Sequence, residues 1–311
     1  EFQNGILFIY AKNIRKLLAE VSFKINYKRP NNLIAVTGTN GKSSIADFYY
    51  QILKLNNKKV ASIGTLGVKS KNFNMNLSNT TIDPIKLSEI LSNLKEENVD
   101  HVIMEASSHG LKQNRLDGLF FNTGIFTNLS QDHLDYHKNL KDYLDAKLYL
   151  FRNLIKKKGN IITDSKIPEF VEIKKIAKKK FLKLNTIEGK NEKLKILTHS
   201  FHDESQILKI KYKGVVKHIR INLIGKIQIK NILMSLIAAE KSGLNLNKIL
   251  NVLPSLKPIE GRFEKIGMIK NKSKVDLDYA HTPDALKTCL LNLKEQFPEK
   301  KIILLFGCGG N

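Results

Sequence analysis

The sequence is poor in residues that form disulfides and in long apolar runs. Its 311 residues contain two cysteines, seven prolines and no tryptophan. Cys289 and Cys308 cannot build a disulfide framework, so a reducing, intracellular setting is the default. No apolar run approaches the roughly 20 residues that a transmembrane helix needs, and no basic-then-apolar signal stretch opens the chain. We therefore expect a cytoplasmic protein that does not insert into membranes.

Acidic residues are also scarce. The chain has 29 Asp or Glu residues against 52 Lys or Arg, a net charge of +23 and a pI near 9.8. Such an excess is compatible with nucleic-acid binding, but the densest lysine runs, 156–158 and 174–180, are not interleaved with stacking aromatics. Charge runs are usually solvated faces, and the same field would also attract an anionic small substrate. We expect no nucleic-acid partner.

Strand-like and helix-like patterns alternate from Leu33 onward, which predicts an α/β fold with a parallel sheet covered by helices. At 42% hydrophobic residues, the chain can bury a sizeable core over about two domains. A small antiparallel sheet is expected within residues 205–224. The predicted strands are Leu33–Val36, Val60–Ile63, His101–Met104, Gly124–Thr127 and Asn160–Thr163.

The pattern restarts after Pro258. A strand at Lys274–Leu277, a helix from Pro283 and a strand at Ile302–Phe306 predict one βαβ unit, which ends in a glycine turn at 307–310. A single βαβ unit cannot bury both faces of its strands. Residues 1–32 are too few for a domain, so the chain is expected to be cut at both ends.

A glycine-rich turn stands between the first predicted strand and a helix. Thr37–Ser44 reads Thr-Gly-Thr-Asn-Gly-Lys-Ser-Ser, a short variant of the phosphate-binding loop in which Val36 replaces the first glycine of the longer pattern. Backbone N–H groups and a helix N-terminus can bind phosphates there, with Lys42 on the outer phosphates and Ser43 on Mg²⁺. The alternative is an ordinary glycine turn with an incidental lysine.

Further candidate ligands follow the next strands. Glu105 ends the strand His101–Met104, at the sheet edge where ligands bind, and would hold Mg²⁺; alone it could equally be a solvated loop residue. His133 and His137, in the segment 128–137, have the spacing of a metal pair, although an unpaired surface position is an equal alternative.

Lys147 falls on an apolar helical stripe that contains Leu144 and Phe151. One interpretation is a lysine whose stem packs inward while its amine reaches water. The other is a modified lysine, carbamylated to an acid that faces a metal. Burying an unpaired ammonium would cost several kcal/mol.

These segments together resemble the Mur ligases, the amide ligases of peptidoglycan synthesis. The resemblance rests on residues 36–44 (VTGTNGKSS), 104–115 (MEASSHGLKQNR), 127–137 (TNLSQDHLDYH) and 278–286 (DYAHTPDAL). Within the family they are most similar to the ligases that add the third amino acid. The resemblance implies a P-loop-type central domain at 32–262. It also implies a remnant of a UDP-binding domain at 1–31 and the start of a Rossmann-like ligase domain at 263–311.

The resemblance also implies roles for single residues. Catalysis would involve Lys42, Lys147 and Arg262, and Lys147 would be the N6-carboxylysine of the family. Metal ligands would be Ser43, Glu105, His133 and the modified Lys147. ATP would contact Gly38, Thr39, Asn40, Gly41, Lys42, Ser43, Ser44, Asn231, Arg262 and Asp278. The UDP-N-acetylmuramoyl-dipeptide would contact Asn79, Thr80, Thr81, Ser107, Gln113 and Arg115.

The implied function is ATP- and Mg²⁺-dependent addition of a diamino acid, expected to be meso-diaminopimelate, to UDP-N-acetylmuramoyl-L-Ala-D-Glu through an acyl phosphate. We expect a monomer, and the 311 residues alone should bind nucleotide without completing ligation. Two alternatives stay open: a sister ligase, such as another Mur ligase or folylpolyglutamate synthetase, and a non-catalytic nucleotide- or nucleic-acid-binding module. The Ser-Ser-His-Gly-Leu and Tyr-Ala-His-Thr-Pro segments argue against the sister ligases.

Overall fold

The architecture was taken from a computed structural model, which describes residues 2–188 and 194–307. Cys308 and the glycines after it lie outside the described residues. The helices are α1 Ile14–Ile25, α2 Lys42–Leu55, α3 Pro84–Glu96, α4 Ser108–Lys112, α5 Leu140–Tyr149, α6 Phe170–Lys179, α7 Lys226–Lys241, α8 Leu246–Val252 and α9 Pro283–Gln296. The strands are β1 Phe2–Gln3, β2 Ile6–Leu7, β3 Asn32–Thr37, β4 Val60–Gly64, β5 Gly67–Lys69, β6 Asn74–Met75, β7 His101–Glu105, β8 Phe121–Phe126, β9 Ile155–Asp164, β10 Lys183–Ile187, β11 Leu194–His202, β12 Ser205–Tyr212, β13 Val215–Ile221, β14 Glu264–Met268 and β15 Lys274–Leu277.

The main sheet has eight strands in the order β10-β9-β8-β3-β7-β4-β5-β6. The six strands from β10 to β4 are parallel, while β5 and β6 add an antiparallel margin. β3 lies between β7 and β8, so the chain crosses to opposite sides of β3 and leaves a crevice at its carboxyl end. The predicted α/β class with a parallel sheet is therefore confirmed.

Alternate residues of the buried strands face two separate cores. In β3, Ile34 and Val36 join a core that contains α2, α7 and the three-stranded sheet β11-β12-β13. Leu33 and Ala35 join the opposite core with α1, α3 and α6. Because side chains alternate along a strand, a continuous apolar run can serve both layers, as expected for a parallel sheet covered on both faces.

The helix boundaries follow local capping signals. Asp83 caps α3 by accepting a hydrogen bond from the Lys86 N–H, and Pro84 occupies the first turn, where aspartate and proline are favoured. α7 begins at Lys226 and is followed by Gly243 with a left-handed φ of 92°. In α1, Ile14, Leu18 and Val21 are exposed, whereas Ala19 and Phe23 are buried.

The predicted βαβ unit after Pro258 is wrong. β15 pairs antiparallel with β14, which the sequence interpretation missed, and α9 follows as expected. The run Ile302–Phe306 forms no strand in the part of the chain that the structure describes. Leu305 in this run is 98% exposed. An apolar run of β-forming residues becomes a strand only where a neighbouring strand supplies backbone hydrogen bonds. Among the described residues, no helix is long and apolar enough to cross a bilayer.

Candidate functional site

The glycine-rich turn connects β3 to α2 at the carboxyl edge of the sheet. Gly41 caps α2 with a φ of +87°, and Gly38 has a φ of +146°, where a Cβ would lie 1.8 Å from Thr127 Oγ1. The Thr39 N–H donates to the Asn128 carbonyl oxygen at 3.0 Å. Both glycines are thus required by conformation and close approach, and the loop is held in the strand–turn–helix context of a phosphate site.

Lys42 lies across the mouth of this loop. Its Nζ donates to the carbonyl oxygens of Gly38 and Thr39 at 3.0 and 2.8 Å. Burial lowers the pKa of Lys42, while the charges of Glu105 and Asp132 oppose the shift. The amine is therefore close to the loop backbone, within reach of an anion bound there.

Glu105 forms a buried oxygen cluster beside the loop. Its side chain is at the end of β7 and the residue is 2% exposed, so the solvated-loop alternative is wrong. Ser43 Oγ donates to Glu105 Oε2 at 3.1 Å, and the Thr65 N–H donates to Oε1 at 2.9 Å. Hydroxyl and carboxylate oxygens are the donors that Mg²⁺ prefers, so the residues present fit this ion. Thr65 was missed by sequence reasoning, although it directly follows β4 at the same sheet edge.

Lys147 is buried against the same loop. It is 1% exposed, its Nζ donates to the Gly38 carbonyl oxygen at 2.8 Å, and it lies 4.1 Å from the centre of the Tyr143 ring. Burial, followed by the charge of Lys42, holds the pKa of Lys147 well below its usual range. Among the described residues Nζ has no carboxylate at ion-pair distance. The interpretation in which the amine reaches water is therefore wrong.

The two histidines of the segment 128–137 occupy different environments. His133 has a side chain 44% exposed and lies 3.4 Å from Asp132 Oδ2. His137 is buried and its Nε2 lies 3.0 Å from Ser108 Oγ. The ring of His109, which sequence reasoning missed, packs 4.9 Å from His133 and 5.6 Å from His137. Within residues 2–188 and 194–307, no group of three or more His, Cys, Asp or Glu could hold a metal, so the role of His133 stays a prediction.

The residues predicted to contact the dipeptide form a hydrogen-bonded group next to Glu105. Thr81 Oγ1 donates to the Glu105 carbonyl oxygen and accepts from the Ser107 N–H, both at 2.9 Å. Arg115 donates to the Thr81 carbonyl oxygen and to Gln113 Oε1. The structure therefore brings four of the six predicted residues together. The other two are more peripheral: Thr80 Oγ1 lies 3.0 Å from Thr65 Oγ1, and Asn79 is exposed.

A cavity of about 240 Å³ lies between the loop and the C-terminal part of the chain. Asn231, on α7, places its Oδ1 within 2.8 Å of where a Gly41 Cβ would stand, and its Nδ2 donates to Gln228 Oε1. The Arg262 guanidinium lies 4.8 Å from the Tyr279 ring. The predicted nucleotide residues that line this cavity are Asn40, Gly41, Ser44, Asn231, Arg262 and Asp278.

Asp278 is fixed on the far wall of the cavity. Its two carboxylate oxygens accept hydrogen bonds from the N–H groups of Phe263 and Ala280, each at 3.0 Å. Burial raises the pKa of Asp278, while these hydrogen bonds and the charge of Arg262 oppose the shift. The same cavity is therefore lined by the phosphate-type loop, by the amides of Gln228 and Asn231, and by the Asp278 carboxylate on the far wall. This arrangement is suited to binding a nucleoside phosphate.

The fold and this cleft are those of an α/β protein with a nucleoside-phosphate site, and comparison with known proteins identifies the family. Residues 36–239 match the family model of the Mur ligase middle domain, and residues 261–311 match that of the Mur ligase glutamate ligase domain. The chain belongs to the Mur ligase family.

Two of its curated relatives share a name. The chain is 37% identical over 309 residues to the UDP-N-acetylmuramoyl-L-alanyl-D-glutamate–2,6-diaminopimelate ligase of Rickettsia montanensis, covering 97% of this chain and 63% of that protein. It is 36% identical over 307 residues to the protein of the same name from Zymomonas mobilis, covering 99% and 63%. The chain thus spans somewhat less than two thirds of the length of these curated relatives.

Solved structures agree on the fold. A structure of a UDP-N-acetylmuramoyl-L-alanyl-D-glutamate–2,6-diaminopimelate ligase matches with a TM-score of 0.79 at 27% identity, covering 92% of this chain and 59% of that one. A folylpolyglutamate synthase of Mycobacterium tuberculosis, complexed with ADP and AMPPCP, matches with a TM-score of 0.74 at 14% identity, covering 91% and 71%. The second likeness shows the fold alone.

Proposed function

We propose that this chain carries the ATP site of a ligase that adds meso-diaminopimelate to UDP-N-acetylmuramoyl-L-Ala-D-Glu. The observation that carries the proposal is the joint position of Lys42, Lys147 and the Ser43–Glu105 pair around one glycine loop. The names of the relatives at 36–37% identity support the substrate assignment.

The reaction has two chemical steps. The carboxylate of the dipeptide attacks the γ-phosphorus of ATP, which forms an acyl phosphate and releases ADP. The amine of the diamino acid then attacks the acyl carbon, and the tetrahedral intermediate expels phosphate to leave an amide. Since the first step is a phosphoryl transfer, the protein contributes mainly positioning and charge neutralisation.

Different residues of the chain would provide this positioning and charge neutralisation. Lys42 and the loop N–H groups would neutralise and orient the transferred phosphoryl group, and Arg262 would approach it from the opposite wall of the cleft. Ser43 and Glu105 would hold Mg²⁺, with His133 as a further proposed ligand. The ion would neutralise the charge that builds up on the phosphate oxygens. Thr81, Ser107 and Arg115, next to the backbone of Glu105, would hold the peptide with its carboxylate toward the loop.

Lys147 would act as a carbamate. The neutral form of the lysine amine attacks the carbon of CO₂, an N–C bond forms and one amine proton leaves to solvent, which converts a neutral amine into an anionic carbamate. Three features of the site favour this step: the lowered pKa raises the fraction of neutral amine, burial excludes competing water, and the charge of Lys42 would stabilise the anion. The carbamate would supply a second acidic metal ligand besides Glu105.

Phosphate release tests the assignment directly. The complete enzyme should release phosphate from ATP only when UDP-N-acetylmuramoyl-L-Ala-D-Glu and diaminopimelate are both present, with a new amide in the product by mass spectrometry. Turnover with a folate and glutamate instead would indicate a sister ligase. Salt-sensitive DNA binding without turnover would indicate a binding module.

A further inference from the structure

The six parallel strands of the main sheet begin at one edge, opposite the glycine loop. We call this edge the amino edge. It consists of the six segments that directly precede the strands or contain their first residues. The paired residues Lys183 with Asn160, Ile34 with Thr123 and Val60 with His101 show that the strand starts are aligned. At about 4.8 Å per strand the edge is roughly 24 Å wide. The segments are 24–31, 54–59, 95–100, 117–120, 155–159 and 178–183.

The amino edge carries much of the positive charge of the protein. Its six segments contain 14 Lys or Arg residues, of which only Arg29 is an arginine, against four Asp or Glu. Two of these acids pair locally, Glu96 with Lys28 and Asp100 with Lys95. The ten lysines of segments 54–59, 155–159 and 178–183 are all exposed and make no ion pair within the described ranges. The fold therefore places lysine runs that are far apart in the sequence next to one another at the amino edge.

Large apolar side chains are exposed on the same edge. Phe181 lies in the turn between α6 and β10, directly after Lys178–Lys180, and is 83% exposed. Ile25, Tyr27 and Phe120 are 71%, 69% and 53% exposed in neighbouring segments. Exposed apolar side chains among lysines are typical of surfaces that bind the interface of an anionic bilayer, where the ring enters the headgroup region and the amines contact phosphates.

A recess deepens the edge at its β4 end. This cavity of about 530 Å³ is lined by Lys54, Lys58, Lys59 and Lys71, and by one carboxylate, that of Glu97. The Lys54 ammonium lies 5.4 Å from the Tyr50 ring. The recess offers a lipid phosphate several amines at once.

We propose that the amino edge binds the surface of a bilayer that contains anionic phospholipids, with Phe181 entering the headgroup region. The lysines would also attract the phosphates of a nucleic acid. Ile25, Phe120 and Phe181, however, have no apolar surface to contact on a phosphodiester backbone, whereas burying them in a bilayer interface is favourable. The contact is peripheral and needs no spanning helix. Because the glycine loop lies on the opposite edge, an adsorbed chain keeps its nucleotide cleft open to water.

Charge reversal tests the electrostatic part. The chain should co-sediment with vesicles that contain phosphatidylglycerol and not with pure phosphatidylcholine vesicles, and raised salt should release it. The variant Lys178→Glu/Lys179→Glu/Lys180→Glu should bind at least tenfold more weakly. Lys270→Glu/Lys272→Glu/Lys287→Glu is the matched control, since these lysines are exposed, lack ion pairs among the described residues and lie outside the amino edge; it should lose less than threefold.

A fluorescent reporter tests the insertion of residue 181. Because the chain has no tryptophan, Phe181→Trp supplies a single emission signal, which should shift to the blue on adding anionic vesicles. Ile266→Trp, at an exposed position on β14 outside the amino edge, should keep its emission maximum.

Three outcomes would overturn the proposal. The first is equal weakening by the two triple variants, which would mean that net charge alone drives adsorption. The second is an unshifted emission of Phe181→Trp on vesicles that do bind the chain. The third is an absence of vesicle binding together with salt-sensitive binding to duplex DNA that only the 178–180 triple variant loses, which would assign the edge to nucleic acid.

Discussion

Lys147 Nζ and the Gly38 carbonyl oxygen lie 2.8 Å apart, so a buried amine on α5 is hydrogen-bonded to the glycine loop that joins β3 to α2. The same carbonyl oxygen accepts from Lys42 Nζ at 3.0 Å. Two lysines thus share one acceptor without a carboxylate between them, an arrangement that costs free energy unless one amine is neutral or modified. The proposed carbamate would relieve that cost.

Lys147→Ala should lower the ligation rate of the complete enzyme by at least about a hundredfold, because a site built on charge stabilisation would lose its anionic ligand. Added formate or acetate should restore part of the rate by entering the space left by the side chain. The rate is measured by phosphate release. Independently of activity, a carbamate carbon should be visible by NMR after incubation with ¹³C-bicarbonate and be absent from the variant.

The control for this substitution is Lys141→Ala, an exposed lysine on the same helix, which should leave the rate unchanged. An active Lys147→Ala enzyme, or one that is inactive and shows the same NMR signal as the unmodified protein, would contradict the carbamate.

Lys42→Ala should remove ATP turnover, by at least about a hundredfold, while the fold is retained. The substitution deletes the amine that would meet the outer phosphates, and it removes hydrogen bonds only to the loop carbonyls of Gly38 and Thr39. ATP hydrolysis and circular dichroism give the two readouts. Lys54→Ala, an exposed position at the other end of α2, is the control; unchanged turnover in Lys42→Ala would remove the loop from the phosphate site.

The candidate site was predictable from the sequence where its signals are local. The strand–turn–helix pattern around the glycine-rich loop requires only neighbouring residues, and the strand, the turn and the helix are all confirmed. The places of Glu105 at a strand end and of Lys147 on an apolar stripe made both of them candidates, but their burial was decided only by the structure. Long-range pairing carries no such signal, which is why Thr65 against Glu105 was missed.

The failures in the fold have the same cause. β11 pairs with β12 and β14 pairs with β15, and neither partner is evident from periodicity alone. The apolar run Ile302–Phe306 resembles a strand in composition, yet it has no partner in the described part of the chain and stays exposed. β-Propensity reports how well a residue fits a sheet that already exists.

Gly64→Ala should weaken Mg²⁺ binding without unfolding the protein. A Cβ at Gly64 would lie 2.3 Å from Glu105 Oε1 and 2.6 Å from its Cγ, so the carboxylate must leave the position in which it accepts from Ser43. We expect a loss of about 1–3 kcal/mol in the free energy of unfolding and a several-fold higher Mg²⁺ requirement for turnover. Denaturant unfolding and a Mg²⁺ titration measure the two effects.

Gly267→Ala is the matched control for that change. Gly267 also lies in a strand, and a Cβ there would meet nothing within 4 Å. Equal Mg²⁺ requirements in the two variants would show that the position of the Glu105 carboxylate does not matter for the ion.

Asp278→Asn should change how stability depends on pH. Because burial raises the pKa of Asp278 above 3.8, the folded chain keeps its proton over a range in which the unfolded chain has released it. The folded state then binds more protons, so the free energy of unfolding falls as pH rises from about 4 through the raised pKa. Asparagine cannot titrate, so the stability of the variant relative to the unmodified protein should increase with pH across that window.

Denaturant unfolding between pH 4 and neutrality measures the trend, with Asp135→Asn at an exposed position as the control. A constant difference between Asp278→Asn and the unmodified protein would mean that Phe263, Ala280 and Arg262 compensate the burial of the carboxylate fully.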